Sequence, residues 1–284
     1  MTIDKKDDWT PLRRPDALDE PSIEIPNTPQ TRSSAYRLAY QDYDFLSQRA
    51  LRSVRIGLEL LKAEMGIEAY GIRSTVVLFG GARIPEPGSP AWAAKTAEQK
   101  KNLEALSLYY QEARRFAQLC ARYGAKSQYR EFVIVTGGGP GVMEAGNRGA
   151  QDEGAPTIGL NIVLPHEQAP NLYVTPELCF NFHYFGMRKM HFLMRAKVLA
   201  IFPGGYGTLD ELFEALTLIH TGRMKRIPIL MFGKDFWQSA LNLEYLEKMG
   251  TISPGDLDLL TYVESADEGF SHICNFYDLA NEAE

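Results

Sequence analysis

The stretch FPGGYGTLDELFE, Phe202 to Glu214, sets glycines at 204, 205 and 207 between an apolar run and an amphipathic helix. Two other apolar runs end the same way, in Gly80-Gly81 and in Gly137-Gly138-Gly139-Pro140-Gly141. A glycine turn that opens a helix lets backbone N–H groups approach an anion closely, and the helix end adds a partial positive charge. Gly204, Gly205, Tyr206, Gly207 and Thr208 therefore read as a phosphate-sized cradle, with Thr208 placed to cap the helix or to donate its hydroxyl. Gly138, Gly139 and Gly141 form a second such turn. One turn alone is equally well a tight connection; two full clusters on separate strands point to a ligand. The charged residues nearby are Glu211, one turn into the helix, and the pair Arg188-Lys189, early in FGMRKMHF. Two cations near a helix start oppose its macrodipole unless an anion sits there. Acids near a helix start are dipole-favoured, which accounts for Asp210 and Glu214 as surface residues and is the plainer reading of Glu211.

Several chemistries are excluded. TGGGPG lacks the Lys-Ser/Thr end of a P-loop, and GGGPGVME is a distorted G-x-G-x-x-G with no acid clearly presented about 20 residues on. His183 and His191 are eight residues apart with no third ligand at sensible spacing, so both read as packing or hydrogen-bonding residues rather than metal ligands. The three cysteines, Cys120, Cys179 and Cys274, are scattered and read as buried free thiols in a reducing compartment. No G-x-S-x-G elbow or Cys/His pair stands out. The formal net charge of −6 argues against a nucleic-acid binder. The charged, proline-rich N-terminus is no signal peptide, and no apolar run approaches the ~20 residues of a membrane span, so a cytoplasmic protein is expected.

The elements that must position these residues alternate. Apolar strands are predicted at 74–83, 131–141, 156–165, 178–183, 197–205, 227–232 and 259–265, separated by helices, among them a long one over 98–124 closed by Gly124. Continuous β-branched and apolar strands between helices imply a parallel sheet buried on both faces, hence a doubly wound, Rossmann-like α/β fold. In that fold ligands bind beyond the carboxyl ends of the strands, where the glycine turns lie. Three segments are expected: a flexible or surface-draped tail over 1–30, a helical extension over 31–70 with a 3–4 apolar repeat through Leu51, Val54, Leu58, Leu61 and Met65, and the Rossmann-like domain over 71–284.

PGGYGTLDE (203–211), the upstream Arg188-Lys189 and GGGPGVMEAGNRGA (137–150) together resemble the LOG (Lonely Guy) phosphoribohydrolases, a family often labelled "lysine decarboxylase". The resemblance spans roughly residues 70–270, and the N-terminal extension is similar to the larger bacterial branch. It implies hydrolysis of the N-glycosidic bond of a nucleoside 5′-monophosphate, AMP or a cytokinin ribotide, to free base and ribose 5-phosphate. By the same resemblance Arg188 and Glu211 fall on the catalytic pair. Lys189, Gly204 to Thr208, Thr217 and Glu167 fall on substrate contacts, and no metal or organic cofactor is required. A homodimer or an assembly of dimers is implied too.

The residues suit such chemistry independently. Breaking a ribosyl C–N bond builds positive charge on the sugar, and a neighbouring carboxylate can stabilise it or activate the attacking water. Arg188 could orient Glu211, grip the phosphate or hydrogen-bond the departing base. Two departures from the family pattern stand out: FGGAR where relatives often carry a Gly-Ser turn, and the segment from Leu164 to Phe185. The alternative class is a non-catalytic nucleotide- or molybdenum-cofactor-binding module, which needs the cradle but not Arg188 and Glu211 together. An amino-acid decarboxylase would need a Schiff-base lysine, and no lysine is singled out for that role.

Overall fold

A computed structural model describes residues 25–163 and 169–279. The chain divides at Arg55/Ile56 into two compact units. The described part of the first holds short turns: 3-10 turns at Ser34–Tyr36, Ala39–Gln41 and Arg49–Leu51, and a single α turn, α1 (Tyr43–Leu46). The helical extension expected over 31–70 is thus broken into short turns up to α2 (Arg52–Ala69). Polar side chains cap the start of two of these turns: Ser33 accepts from the Ala35 N–H and Asp42 from the Phe45 N–H, offering the backbone an alternative to a continuous helix.

The second unit carries a seven-stranded, wholly parallel sheet among the described residues, in the order β4-β3-β2-β1-β5-β6-β7. The strands are β1 (Thr75–Phe79), β2 (Val133–Thr136), β3 (Thr157–Ile162), β4 (Cys179–Phe182), β5 (Ala196–Ile201), β6 (Ile229–Phe232) and β7 (Leu260–Val263). Between them run α3 (Ala97–Ala105), α4 (Leu108–Gly124), α5 (Val142–Asp152), α6 (Phe185–Met194), α7 (Tyr206–His220), α8 (Lys234–Ala240), α9 (Leu243–Lys248) and α10 (Ala266–Phe276). This is the doubly wound, Rossmann-like α/β fold. The period-2 alternation of β1 shows why both faces are covered. Val76 and Leu78 pack into one core with α4, α5 and α10, while Val77 and Phe79 pack into the other with α2, α6 and α7. Each such fully buried aliphatic side chain contributes about 1.5–3 kcal/mol of burial.

Two expected helices are broken. The one over 98–124 splits at Leu106–Ser107, where the Ser107 hydroxyl donates to the Glu104 carbonyl (2.6 Å) and polar α3 gives way to amphipathic α4. The helix after β6 splits into α8 and α9, because Leu241 is extended and Asn242 caps α9 by accepting from the Tyr245 N–H (3.0 Å). Gly124 does not terminate α4 in the left-handed conformation: its φ is −59°, and a 3-10 turn follows directly. It is glycine because a Cβ would stand 2.8 Å from the Glu131 carbonyl oxygen, and Gln128 supplies the left-handed turn instead. Cys120 and Cys274 are buried, whereas Cys179 is half-buried on β4. No helix among the described residues is long and apolar enough to cross a membrane.

Candidate functional site

The sheet order reverses between β1, whose successors β2 to β4 run one way, and β5, whose successors run the other. A cleft of about 710 Å³ opens at that switch point, beyond the carboxyl ends of β1, β2 and β5. Backbone hydrogen bonds join the three strand tips. The Gly81 N–H donates to the Pro203 carbonyl (2.8 Å), and the Gly81 carbonyl accepts from the Val142 N–H (3.3 Å).

Gly204, Gly205, Tyr206, Gly207 and Thr208 all line this cleft. Gly205 is the N-cap residue of α7, and no side chain caps the helix; its carbonyl accepts from the Thr208 and Leu209 N–H groups (3.1 and 3.0 Å). The first N–H groups of a fifteen-residue helix are thus left for an anion. Thr208 does not cap: it lies inside the first turn, buried, with its hydroxyl against Gly204. Gly204 can only be glycine, since a Cβ there would overlap that side chain. Tyr206 is 93% exposed at the rim.

Glu211, one turn further along α7, is only 5% exposed and lines the same cleft. Its Oε2 is buried with no hydrogen-bond partner among the described residues. Burial pushes its carboxyl up to about 7; Lys189 and Arg188 oppose that rise, while Glu214 and Asp210 add to it. A carboxyl that ionises near neutrality in a cleft is suited to proton transfer.

Arg188 reaches the cleft from α6. Its Nε donates to the Leu160 carbonyl within β3 (2.7 Å), and its guanidinium lies over the Phe192 ring, 5.2 Å from the centroid. The guanidinium crosses so close to Gly137 that a Cβ there would stand 2.6 Å from it. Arg188 and Glu211 therefore face one space from different helices. Lys189, its neighbour, does not line that space. Its Nζ stands 2.6 Å from Asp210 Oδ2, 2.8 Å from Glu214 Oε2 and 3.7 Å from Glu211 Oε1. Asp210 and Glu214, taken from the sequence as surface acids, are the lysine's partners.

The second glycine turn serves the scaffold more than the cleft wall. Gly138 and Gly141 have φ of +73° and +70°, where a side chain is strained. A Cβ at Gly138 would meet Asn161, and one at Gly141 would meet the Gly81 and Ala82 backbone. Asn171 ties the turn down, its N–H donating to the Gly138 carbonyl (2.8 Å) and its Nδ2 to the Gly139 carbonyl (2.9 Å). Gly137, not Gly138, Gly139 or Gly141, faces the cleft. Thr217 lies outside the cleft on an exposed face of α7, where its hydroxyl donates to the Phe213 carbonyl (2.7 Å). Glu167 lies outside the described residues.

Arg83 escaped the sequence reading. It follows the Gly80-Gly81 turn, lines the cleft opposite α7, and makes no hydrogen bond or ion pair among the described residues. The signal was the cation in FGGAR, read there only as a departure. Ile84, Leu103, Leu106 and Phe236 give the cleft an apolar side that no local motif announced.

The family model described as "Possible lysine decarboxylase" matches residues 143–273, which include Arg188, Lys189 and the whole of α7. The cytokinin riboside 5'-monophosphate phosphoribohydrolase LOG3 of Arabidopsis thaliana is 25% identical over 182 residues, 57% of this chain and 82% of that protein. The likeness to the LOG family holds. Among solved structures, the molybdenum cofactor binding protein from Rippkaea orientalis is 18% identical, with a TM-score of 0.46 over 72% of this chain and 98% of that one. The molybdenum cofactor carrier protein from Chlamydomonas reinhardtii is 19% identical, with a TM-score of 0.46 over 73% of this chain and 98% of that one. Likeness of that degree decides nothing between a LOG-like hydrolase and a carrier.

Proposed function

We propose that the chain hydrolyses the N-glycosidic bond of a nucleoside 5′-monophosphate, releasing the free base and ribose 5-phosphate. The observation that carries this reading is the buried Oε2 of Glu211, without a hydrogen-bond partner among the described residues, beside the uncapped glycine start of α7. The cradle from Gly204 to Thr208 takes the 5′-phosphate, and Arg83 adds charge from the opposite wall. With the phosphate fixed there, the ribose lies over Glu211 and the base extends toward the apolar side formed by Ile84, Leu103 and Phe236. As the C1′–N bond lengthens, positive charge grows on the sugar. The Glu211 carboxylate stabilises that charge and takes a proton from the attacking water, while the bond's electron pair leaves with the base; the base then takes up a proton from solvent and Glu211 releases its own, which closes the balance. Arg188, held by Leu160 and Phe192, orients the acid and the departing base. Phosphate binding away from the reacting carbon supplies orientation for the chemical step.

AMP and a prenylated adenine ribotide are the first substrates to offer, and a dimer is the proposed working form. Incubation with each monophosphate, followed by assay of free base and ribose 5-phosphate, tests the reading. Release by the wild type, loss of about 10²–10⁴-fold in Glu211→Gln, and much slower reaction of the dephosphorylated nucleosides are expected. Equal rates with and without the 5′-phosphate would remove the anchor. Tight nucleotide binding with no turnover would replace the hydrolase by a binding module.

A further inference from the structure

Lys189 stands apart from the other cations near the cleft. Arg83 and Arg188 line it; Lys189 does not. Its side chain is 14% exposed and surrounded by three carboxylates of α7. Asp210 and Glu214 are one helical turn apart and present a single face to it, while Glu211, one position round, is turned toward the cleft. An ammonium has three donors; Asp210 takes one at 2.6 Å, and Glu214 Oε2 pairs with the charge at 2.8 Å. Burial alone would lower the Lys189 ammonium, but its hydrogen bonds to Asp210 and Glu214 and the nearby Glu211 charge hold it above its ordinary value. Turning toward a ligand would strip Asp210 and Glu214 of their counter-ion.

We propose that Lys189 is a positioning residue that acts through Glu211 rather than on the substrate, and that Asp210 and Glu214 divide its charge so that Glu211 receives only a share. The proposal rests on the reading of Glu211 as the reacting acid and departs from the substrate contact that resemblance implied for Lys189. The charged groups facing Glu211 are Lys189 and Arg188 from α6, and Asp210 and Glu214 from α7. Removing the lysine leaves Glu211 with Arg188 against two acids and makes its ionisation harder. Removing Glu214 takes away a repelling charge and returns the lysine to Glu211, which makes ionisation easier. The same cluster must therefore move Glu211 in opposite directions, depending on which partner is neutralised.

The test titrates the ligand-free protein carrying ¹³C-labelled glutamate, with the Glu211 resonance assigned by its absence in Glu211→Gln. Lys189→Met should raise the Glu211 midpoint by about one pH unit or more, and Glu214→Gln should lower it by a similar amount. Asp210→Asn should lower it less, because Asp210 is 59% exposed. The acid limb of kcat/KM for AMP should follow each midpoint, with KM little changed. A Glu211 midpoint that ignores Glu214→Gln would overturn the proposal. So would a Lys189→Met variant whose KM rises about tenfold with the midpoint unmoved, since a lysine on the substrate behaves that way. Should Lys189→Met fail to fold, the near-isosteric Glu214→Gln decides alone by whether its midpoint falls. The titration needs no turnover, so opposed shifts in a protein that hydrolyses no nucleotide would sink the proposed reaction and leave the charge sharing intact.

Discussion

Glu211 is a buried acid that gives up its proton only near neutrality. That property has two readable consequences. If the carboxylate is the working form, kcat/KM rises with pH to a plateau above about 7, and the rise vanishes in the residual activity of Glu211→Gln. The second consequence concerns folding. Between its ordinary value and about 7 the folded chain holds a proton on Glu211 that the unfolded chain has already released. Stability is therefore full below that window and declines as pH climbs through it. At pH about 8, Glu211→Gln should melt above the wild type, by up to about 3 kcal/mol in unfolding free energy, and at acid pH the two should coincide. Thermal melts of both proteins across that range measure it; a variant less stable at high pH would contradict the burial account. In the sequence Glu211 stood out by its place one turn after the glycine start of α7 and by the family resemblance, since an acid there reads locally as dipole-favoured; its burial was not visible. Lys189 was legible only as a cation: its pairing with Asp210 and Glu214 joins α6 to α7, and no local spacing announces a contact between two helices.

At the scale of elements, the glycines divide into those the fold requires and those a ligand would require. Gly207 opens α7 with an ordinary backbone and nothing within 4 Å of where a Cβ would stand. Gly207→Ala should therefore fold normally, with melting unchanged or slightly raised by up to about 1 kcal/mol of helix propensity. Its KM for AMP should nevertheless rise, because the methyl group would crowd the proposed phosphate cradle. Gly149 is the opposite case. It lies in α5, where a Cβ would overlap the Arg114 backbone carbonyl of α4. Gly149→Ala should destabilise the chain by about 1–3 kcal/mol while leaving KM alone, read from denaturant unfolding beside steady-state kinetics. The strands and their order of appearance were legible, since buried β-branched runs such as TVVLF and AKVLAI have no other stable setting. The helix breaks at Ser107 and Asn242 were not, because each turns on a single side chain's hydrogen bond to the backbone, which composition does not announce. Gly138 and Gly141 answer to contacts that no local pattern shows: a Cβ at Gly138 would meet the Asn161 side chain, and one at Gly141 the Gly81 and Ala82 backbone.

At the scale of the whole molecule, α2 leaves Leu58, Leu61 and Met65 exposed, and α6 leaves Met190 and Met194 exposed. The two helices are tied together, with His191 Nε2 3.2 Å from the Leu60 carbonyl and Arg195 paired to Glu64 at 2.5 Å. An apolar surface of this kind is costly in water and suits a second copy of the chain. Sedimentation velocity should find a dimer or a multiple of it, and Leu61→Glu with Met65→Glu should shift it toward the monomer. A monomeric wild type at micromolar concentration would exclude that assembly. The fold class was fully legible at this scale, but the wall opposite α7 was not. Arg83 and Leu103 lie far apart from Glu211 in the chain and meet it only because β1 and β5 are neighbours in the sheet.

The Gly81 backbone, hydrogen-bonded to Pro203 on one side and to Val142 on the other, has a practical corollary for anyone who would change what the cleft accepts. The turns after β1, β2 and β5 cannot be exchanged one at a time, because each is the mould for the next. A graft from a relative must transplant all three together, and a chimera that carries only one will lose its shape before it gains a new preference.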